Sequence, residues 1–299
     1  MKFSIVTPVY NLEGFIAKTI ETVLSQAGDF DIEYIVMDDG SKDKSADVAQ
    51  AYADKIADGS YPILCKSITM RVVRQENTGM YEAINRGFAL ATGDVFSWIN
   101  ADDLYQPGAL AAVTKTLAAF PEIEWLKGIT DEVDEAGTKT RSGQCYVYKQ
   151  DWIAKGIYGQ EAYFIQQDSV FWRKELWQKV APMPAHYRSA ADYWLWIQMA
   201  KYAPLWSLNV PVSCFRKREG QISGNVSKYK KEQWNARPRR SLTAWVARLF
   251  FSPQSRLIPH FQGFFKWLYP LLFMRRWHPQ YIEITKAGAV KKSAPTYRV

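Results

Sequence analysis

Short β-branched runs alternate with helical stripes over the first 120 residues of this chain, and several of the runs end in a polar cluster. That pattern narrows the fold more than any other feature. The run from Phe3 to Tyr10 (Phe3-Ser-Ile-Val-Thr-Pro-Val-Tyr) predicts a buried strand. Ile16, Ile20, Val23 and Leu24 then mark one face of a helix over 16–26. The same reading predicts strands over 33–38, 67–74 and 95–99, and helices over 41–52, 80–91 and 110–120. This order predicts an α/β fold built on a doubly wound, mostly parallel sheet. Ligands of such sheets sit at the carboxyl ends of the strands. Tyr10-Asn11, Asp38-Asp39-Gly40-Ser41 and Asn100-Ala101-Asp102-Asp103 should therefore converge on one rim.

The 299 residues are 47% hydrophobic and 23% charged, which excludes a disordered chain. Cys65, Cys145 and Cys214 lie far apart with no CxxC spacing, which argues against a zinc site or a disulfide scaffold. His186, His260 and His278 are too scattered for a His-rich metal site. Residues 1–20 read as neither a signal peptide nor an anchor. Charge is divided unevenly. Residues 215–299 hold 18 Lys and Arg against three acidic residues, a net +15, whereas residues 1–214 hold 20 against 27, a net −7. Such a split marks regions that face different partners, and a basic tail calls for an anionic surface.

Each polar cluster has two readings. Asp38-Asp39-Gly40-Ser41 serves as a turn with a helix cap, or as a carboxylate accepting from the N3–H of a uracil or thymine base. Asn100-Ala101-Asp102-Asp103 serves as a cap, or as paired carboxylates that repel unless a cation lies between them. A hard divalent ion, Mn²⁺ or Mg²⁺, fits the second reading and would neutralise a diphosphate leaving group.

The motifs then become specific together. Thr7-Pro8-Val9-Tyr10-Asn11, Asp38-Asp39-Gly40-Ser41, Gly79-Met80-Tyr81-Glu82-Ala83-Ile84-Asn85-Arg86-Gly87, Ala91-Thr92-Gly93-Asp94 and Asn100-Ala101-Asp102-Asp103 stand in the order and spacing of a known family. Over residues 1–225 the chain resembles the family 2 glycosyltransferases, inverting enzymes of GT-A fold that build bacterial surface polysaccharides. The resemblance implies a nucleotide-binding half over 1–110 and an acceptor half over 111–225. It places Thr7, Pro8 and Tyr10 around the base, with Asp39 on it and Asp38 beside it. It places Asp102 at the ribose or sugar, and Asp103 on the metal. Gly79 would permit close approach to the nucleotide, and Arg74 and Arg86 are candidates for phosphate or base contacts. Glu82 stands where the family often has Asp. The implied donor is a nucleoside-diphosphate sugar, with UDP favoured, and the implied acceptor a lipid-linked glycan.

Inversion requires a carboxylate that takes the proton of the acceptor hydroxyl. Ser189-Ala190-Ala191-Asp192-Tyr193-Trp194 is similar to the family's acidic motif, and Asp192 falls where the general base belongs, or else simply caps a helix. Gln167 and Asp168 lie in a segment that resembles the one behind the acceptor site, with Asp168 the second candidate base. Many relatives carry a histidine where this chain has Arg218. Arginine cannot ligate a metal, so Arg218 is expected to hold the diphosphate instead. Two other functions compete: a nucleotide-sugar-binding scaffold without catalysis, and a nucleotidyltransferase. The second is disfavoured because Val9–Gly14 contains no Gly-rich basic loop.

Residues 226–299 read as a helical, basic appendage rich in aromatics. Arg237, Arg239, Arg240, Arg248, Arg275 and Arg276 interleave with Trp245, Phe250, Phe251, Trp267 and Trp277, among others. No 18-residue window there is free of charge, so a spanning helix is not expected. The pattern fits an element lying on an anionic membrane surface, at the cytoplasmic face, or one packed against the catalytic domain. No nucleic-acid-binding motif accompanies the charge, so no nucleic-acid partner is expected.

Overall fold

The computed structural model describes residues 1–159, 164–221, 224, 226–238, 279–294 and 299. The chain opens with β1 (Lys2–Val9), α1 (Glu13–Leu24), β2 (Gly28–Asp38), α2 (Ser45–Ala57), β3 (Cys65–Arg74), α3 (Met80–Leu90) and β4 (Val95–Trp98). β5 (Leu104–Tyr105), α4 (Ala109–Ala119), β6 (Trp125–Val133), β7 (Lys139–Arg141) and α5 (Gln150–Ala154) follow. The second half has β8 (Val170–Arg173), α6 (Lys174–Val180), α7 (Ala191–Met199), β9 (Leu205–Arg216), α8 (Val226–Ala236), β10 (Gln280–Thr285) and β11 (Gly288–Ser293).

The sheet runs β11-β10-β9-β6-β8-β4-β1-β2-β3. β3, β2, β1 and β4 are parallel neighbours, and β6, β9 and β10 are parallel to one another. β8 runs antiparallel between β4 and β6. Because β8 alone is reversed between two parallel blocks, its amino end meets the carboxyl ends of β4 and β6. The α/β architecture is thus the expected mostly parallel sheet, flanked by helices on both faces.

The expected elements form where apolar spacing placed them. Ile16, Ile20, Val23 and Leu24 of α1 are all buried. α2 begins later than expected, at Ser45, whose N–H is taken by the Asp43 carboxylate (2.9 Å) just ahead of the helix. α3 packs onto β1 through Gly87, where a Cβ would lie 2.6 Å from a Val6 methyl.

A wall of tryptophans holds the second half to the sheet. Trp196 of α7 stacks on Trp98 of β4 (5.9 Å) and Trp125 of β6 (5.8 Å), and Trp172 of β8 meets Trp98 edge-on (5.5 Å). Such pairs each add about 0.5–1.5 kcal/mol beyond burial. Asp192 lies one helical turn before Trp196, so the stacking that fixes Trp196 also turns Asp192 toward the same face.

The tail departs in part from the helical expectation. α8 is helical, but 280–293 form a hairpin that returns to the sheet edge, with Ile282 opposite Leu208 of β9. Ile282 alternates with polar Tyr281 and Glu283 and is fully buried beside Leu208 and Val212, a strand pattern of period two. Lys291 of β11 lies over the rings of Phe120 and Trp206 and pairs with Glu122. The aromatic and basic residues from Arg239 to Trp277 lie outside the described residues. Among the described residues no helix is long and apolar enough to cross a membrane. The hairpin therefore belongs to the cooperative unit. Ile282→Ala should lower stability in urea unfolding by about 2–5 kcal/mol; an unchanged midpoint would show that the hairpin folds apart.

Candidate functional site

Strand register builds the site. Val9 lies opposite Asp38, Asp38 opposite Arg74, and Val6 opposite Trp98, so the loops after β1, β2, β3 and β4 leave the sheet on one side. β9 ends there at Arg216, opposite Val133 of β6. Gln167 and Asp168 precede the reversed β8 and arrive at the same rim, where the Gln167 amide donates to the Trp98 carbonyl. The three clusters expected to converge do so, with 167–168 and 216–218 added.

On the nucleotide side Asp39 organises a loop. It is buried, and its carboxylate accepts the N–H groups of Thr78 (2.9 Å) and Gly79 (2.8 Å) and the Gln75 amide (2.8 Å). Gly79 adopts φ +102°, and a Cβ there would lie 2.5 Å from the Arg188 guanidinium, so only glycine fits this turn. Asp38 accepts the Ser41 N–H, and Asn11, at φ +51°, accepts the N–H of Lys42 (2.7 Å). Thr7 is buried in β1 with its hydroxyl accepting from Tyr34, Pro8 is buried beside it, and Tyr10 is 47% exposed at the rim. Arg74 pairs with Asp47 (2.6 Å), and Arg86 bridges Glu82 (3.2 Å) and Gln75 (3.3 Å).

The centre of the rim holds three buried carboxylates against three cations. Asp102 accepts from the Arg218 guanidinium (2.7 Å) and the Gln221 amide (3.2 Å). Asp103, 1% exposed, accepts the backbone N–H of Arg216 (2.9 Å) and the Asn100 amide (3.1 Å). The guanidiniums of Arg216 and Arg218 both lie over the ring of Phe15. Asp168 accepts from the Ser213 hydroxyl and lies in the field of buried Lys127. Burial first, and then the charges of Asp102 and Asp168, push the Asp103 carboxyl well above its ordinary range. Burial also raises Asp168, against the opposing pull of Ser213 and Lys127. Burial lowers Lys127 to about 8.

This donor set suits a hard cation in one respect and limits it in another. The Asn100 Oδ1 atom is buried with no hydrogen-bond partner among the described residues, beside carboxylates whose mutual repulsion a cation would relieve. Among the described residues no group of three or more His, Cys, Asp or Glu is arranged to hold a metal. Mg²⁺ commonly takes one or two carboxylates and completes its sphere with water and substrate phosphate, a requirement that Asp103 beside the Asn100 oxygen would fit.

Asp192 sits at the start of α7, buried, and its side chain shares no hydrogen-bond partner with this cluster among the described residues. The Tyr229 hydroxyl of α8 reaches both its carboxylate oxygens (3.1 Å each). Burial raises its carboxyl to about 7, opposed by hydrogen bonds from backbone and Tyr229 and reinforced by Glu232. Glu232 accepts the N–H groups of Arg188 (3.1 Å), Ser189 (2.8 Å) and Ala190 (3.0 Å) on one oxygen. Arg188 in turn reaches the Thr78 carbonyl (3.4 Å), which links the α7 entry to the Asp39 loop. Sequence reasoning did not assign roles to Arg188, Arg216, Tyr229, Glu232 or Lys127. The one available signal was that Tyr229, Glu232, Gln233 and Ala236 fall on one helical face of an otherwise basic segment.

Asp39→Ala should remove hydrogen-exchange protection from the Thr78 and Gly79 amides while leaving those of β1 and β2 protected. Retained protection at 78 and 79 would mean the loop is held by something other than Asp39.

The chain matches the family model described as glycosyl transferase family 2 over residues 4–166. It is 28% identical over 200 residues to an uncharacterized glycosyltransferase of Nostoc sp., covering 64% of this chain and 57% of that protein. It is 26% identical over 193 residues to a PGL/p-HBAD biosynthesis glycosyltransferase of Mycobacterium bovis, covering 64% and 66%. The chain thus spans little more than half the length of the Nostoc relative. Its fold is similar to that of S. aureus TarS residues 1–349 in complex with UDP-GlcNAc, with a TM-score of 0.60 at 15% identity over 91% of this chain and 76% of that one. A second TarS structure, in complex with UDP, aligns with a TM-score of 0.56 at 14% identity. With its motifs gathered at one rim and the family model covering more than half of its length, this chain belongs to glycosyl transferase family 2.

Proposed function

We propose that the protein is an inverting glycosyltransferase that moves a sugar from a nucleoside-diphosphate donor, a UDP sugar by preference, to a hydroxyl of a lipid-linked glycan acceptor. The observation that carries this reading is the division of carboxylates: Asp102, Asp103 and Asp168 at the strand rim, and a separate buried Asp192 whose carboxyl lies near 7. The TarS complexes with UDP-GlcNAc and UDP support a nucleotide-sugar donor.

In this reading the base and ribose lie along Thr7, Pro8, Tyr10, Asp38 and the Asp39 loop, with Gly79 allowing close approach. Arg74 and Arg86 flank the same edge as phosphate or base contacts. Asp102 lies at the ribose or sugar, and Asp103 would hold Mn²⁺ or Mg²⁺, which when bound neutralises charge on the departing diphosphate. Arg218 lies against Asp102 and is placed to exchange that contact for a diphosphate oxygen. Gln167 and Asp168 face the sugar. Asp192 takes the proton from the acceptor hydroxyl as its oxygen bonds the anomeric carbon and the carbon–phosphate-oxygen bond breaks. Asp192 serves only when ionised, so turnover should fall below about pH 7. The net +15 of residues 215–299 supports docking at the anionic inner face of a cell membrane, where lipid-linked acceptors reside.

Asp192→Asn should lower kcat by about 10²–10⁴ while donor affinity stays within a few-fold. Near-full turnover of that variant alongside a dead Asp168→Asn would move the base to Asp168. Asp103→Ala should abolish the Mn²⁺-dependent part of UDP binding in calorimetry without unfolding the chain. Unchanged affinity would remove Asp103 from the metal site.

A further inference from the structure

α8 is a short helix whose two faces differ. Tyr229 and Gln233 are buried on one face, and Trp234 is exposed on another. Tyr229 packs with Ala190, Tyr193 and Ile197 and meets the Phe164 ring edge-on. Its hydroxyl has one proton and lies 3.1 Å from each Asp192 oxygen, so it shares that proton across the whole carboxylate. Three residues on, Glu232 gathers the three consecutive N–H groups that lead into α7. The Ala190 N–H is the N-cap's, those of Arg188 and Ser189 come just before the helix, and an anion there also meets the positive end of the helix dipole. Asp192, Tyr229 and Glu232 all lie beyond residue 166, where the family match ends.

We infer that α8 is a positioning element for the general base, in which Tyr229 holds the Asp192 carboxylate and Glu232 holds the backbone that carries it. The inference rests on the reading of Asp192 as base and adds how its charge state is set. The two contacts act in opposite directions. Tyr229 donates to the ionised carboxylate and so favours ionisation, whereas the negative charge of Glu232 opposes it. The balance, on a buried group, leaves a carboxyl near 7, where a base both accepts a proton and releases it. The other titratable groups around Asp192 do not replace these. Tyr81 of α3 is buried and directs its hydroxyl to the backbone of Ala191 and Asp192, and Tyr193 of α7 donates to the Gly156 carbonyl (2.6 Å). The Arg188 guanidinium turns away toward Thr78 and Gly79. Tyr229 itself stays protonated, since burial and the adjacent Asp192 raise it well above its ordinary range.

The test is direct titration of Asp192 in the full chain by carbon NMR with ¹³C-labelled aspartate, the signal assigned by its loss in Asp192→Asn. Tyr229→Phe removes one oxygen and should raise the Asp192 midpoint by about one unit or more. Glu232→Gln keeps an acceptor for the three N–H groups but removes the charge, and should lower the midpoint. Release of UDP from UDP-GlcNAc with Mn²⁺ should show an acid limb that moves with each midpoint. Thermal melting confirms that both variants fold. A common loss of stability with no opposed shift is what a merely structural helix would give, and it overturns the inference. Equal midpoints in all three proteins overturn it as well. If the midpoints move as expected while Asp192→Asn keeps full turnover, the positioning stands and the reading of Asp192 as base falls.

Discussion

The register of four parallel strands is the constraint on which the site depends. Val9 faces Asp38 and Asp38 faces Arg74, so the loops that follow leave at one level. A slip of one residue would turn every side chain of a strand to the opposite face and carry Asp38 away from the rim. What pins the register is burial on both faces. β1 and β2 are almost wholly apolar or hydrogen-bonded inside, with Phe3, Ile5, Tyr34 and Ile35 fully covered. The reversed strand between the two parallel blocks, β8, then does what no parallel strand could do at that position. It delivers its preceding residues, Gln167 and Asp168, to the rim formed by carboxyl ends.

A rim assembled in this way concentrates acid, and burying ionised carboxylates is costly unless each is compensated. The compensation differs at each residue, and so does the chemistry. Asp39 receives two backbone N–H groups and a side-chain amide, which makes it the anchor of a loop. Asp102 receives a guanidinium and a side-chain amide. Asp103 receives one N–H and one amide, too little to offset its burial beside two other acids. The uneven supply of donors leaves an electrostatic deficit at Asp103, and that deficit is what a cation bound there would relieve.

Much of the first 120 residues was legible from sequence, because each strand there is a β-branched run and each helix an apolar stripe. Ile16, Ile20, Val23 and Leu24 are buried as their spacing predicts, and the polar clusters that end the strands share a rim. The ends of elements were less legible. α2 starts only after a loop in which Asp43 takes the Ser45 N–H, a contact that a periodic pattern does not reveal. The hairpin over 280–293 was hidden because Ile282 and Ile284 are few and surrounded by charge, and only the exposed edge of β9 gives them a place to be buried. Tyr229 and Glu232 were hidden for a different reason. Their partners lie 37 residues and more than 40 residues earlier in the chain, so nothing in their own segment announces the contact.

The position of Asp192 and its charge state are set by separate interactions. Position comes from α7, whose Trp196 stacks between Trp98 and Trp125 one turn beyond the carboxylate. Those contacts are apolar and insensitive to protonation, so they hold the helix in the same place whether Asp192 is charged or neutral. Charge state comes from the opposite side, from hydroxyl and carboxylate groups on α8 and from burial itself. On the proposed reading Asp192 is a base that must change charge during each cycle without moving, because a displacement of about 1 Å costs on the order of 10²-fold in rate. Placing the residue at the first turn of a short helix meets both demands. The aromatic stack behind it resists movement, and the N–H groups of Ser189 and Ala190 ahead of the helix donate to Glu232 without altering that stack. The same residue type at Asp39 has both oxygens engaged by the N–H groups of Thr78 and Gly79 and the Gln75 amide, donors that hold a loop.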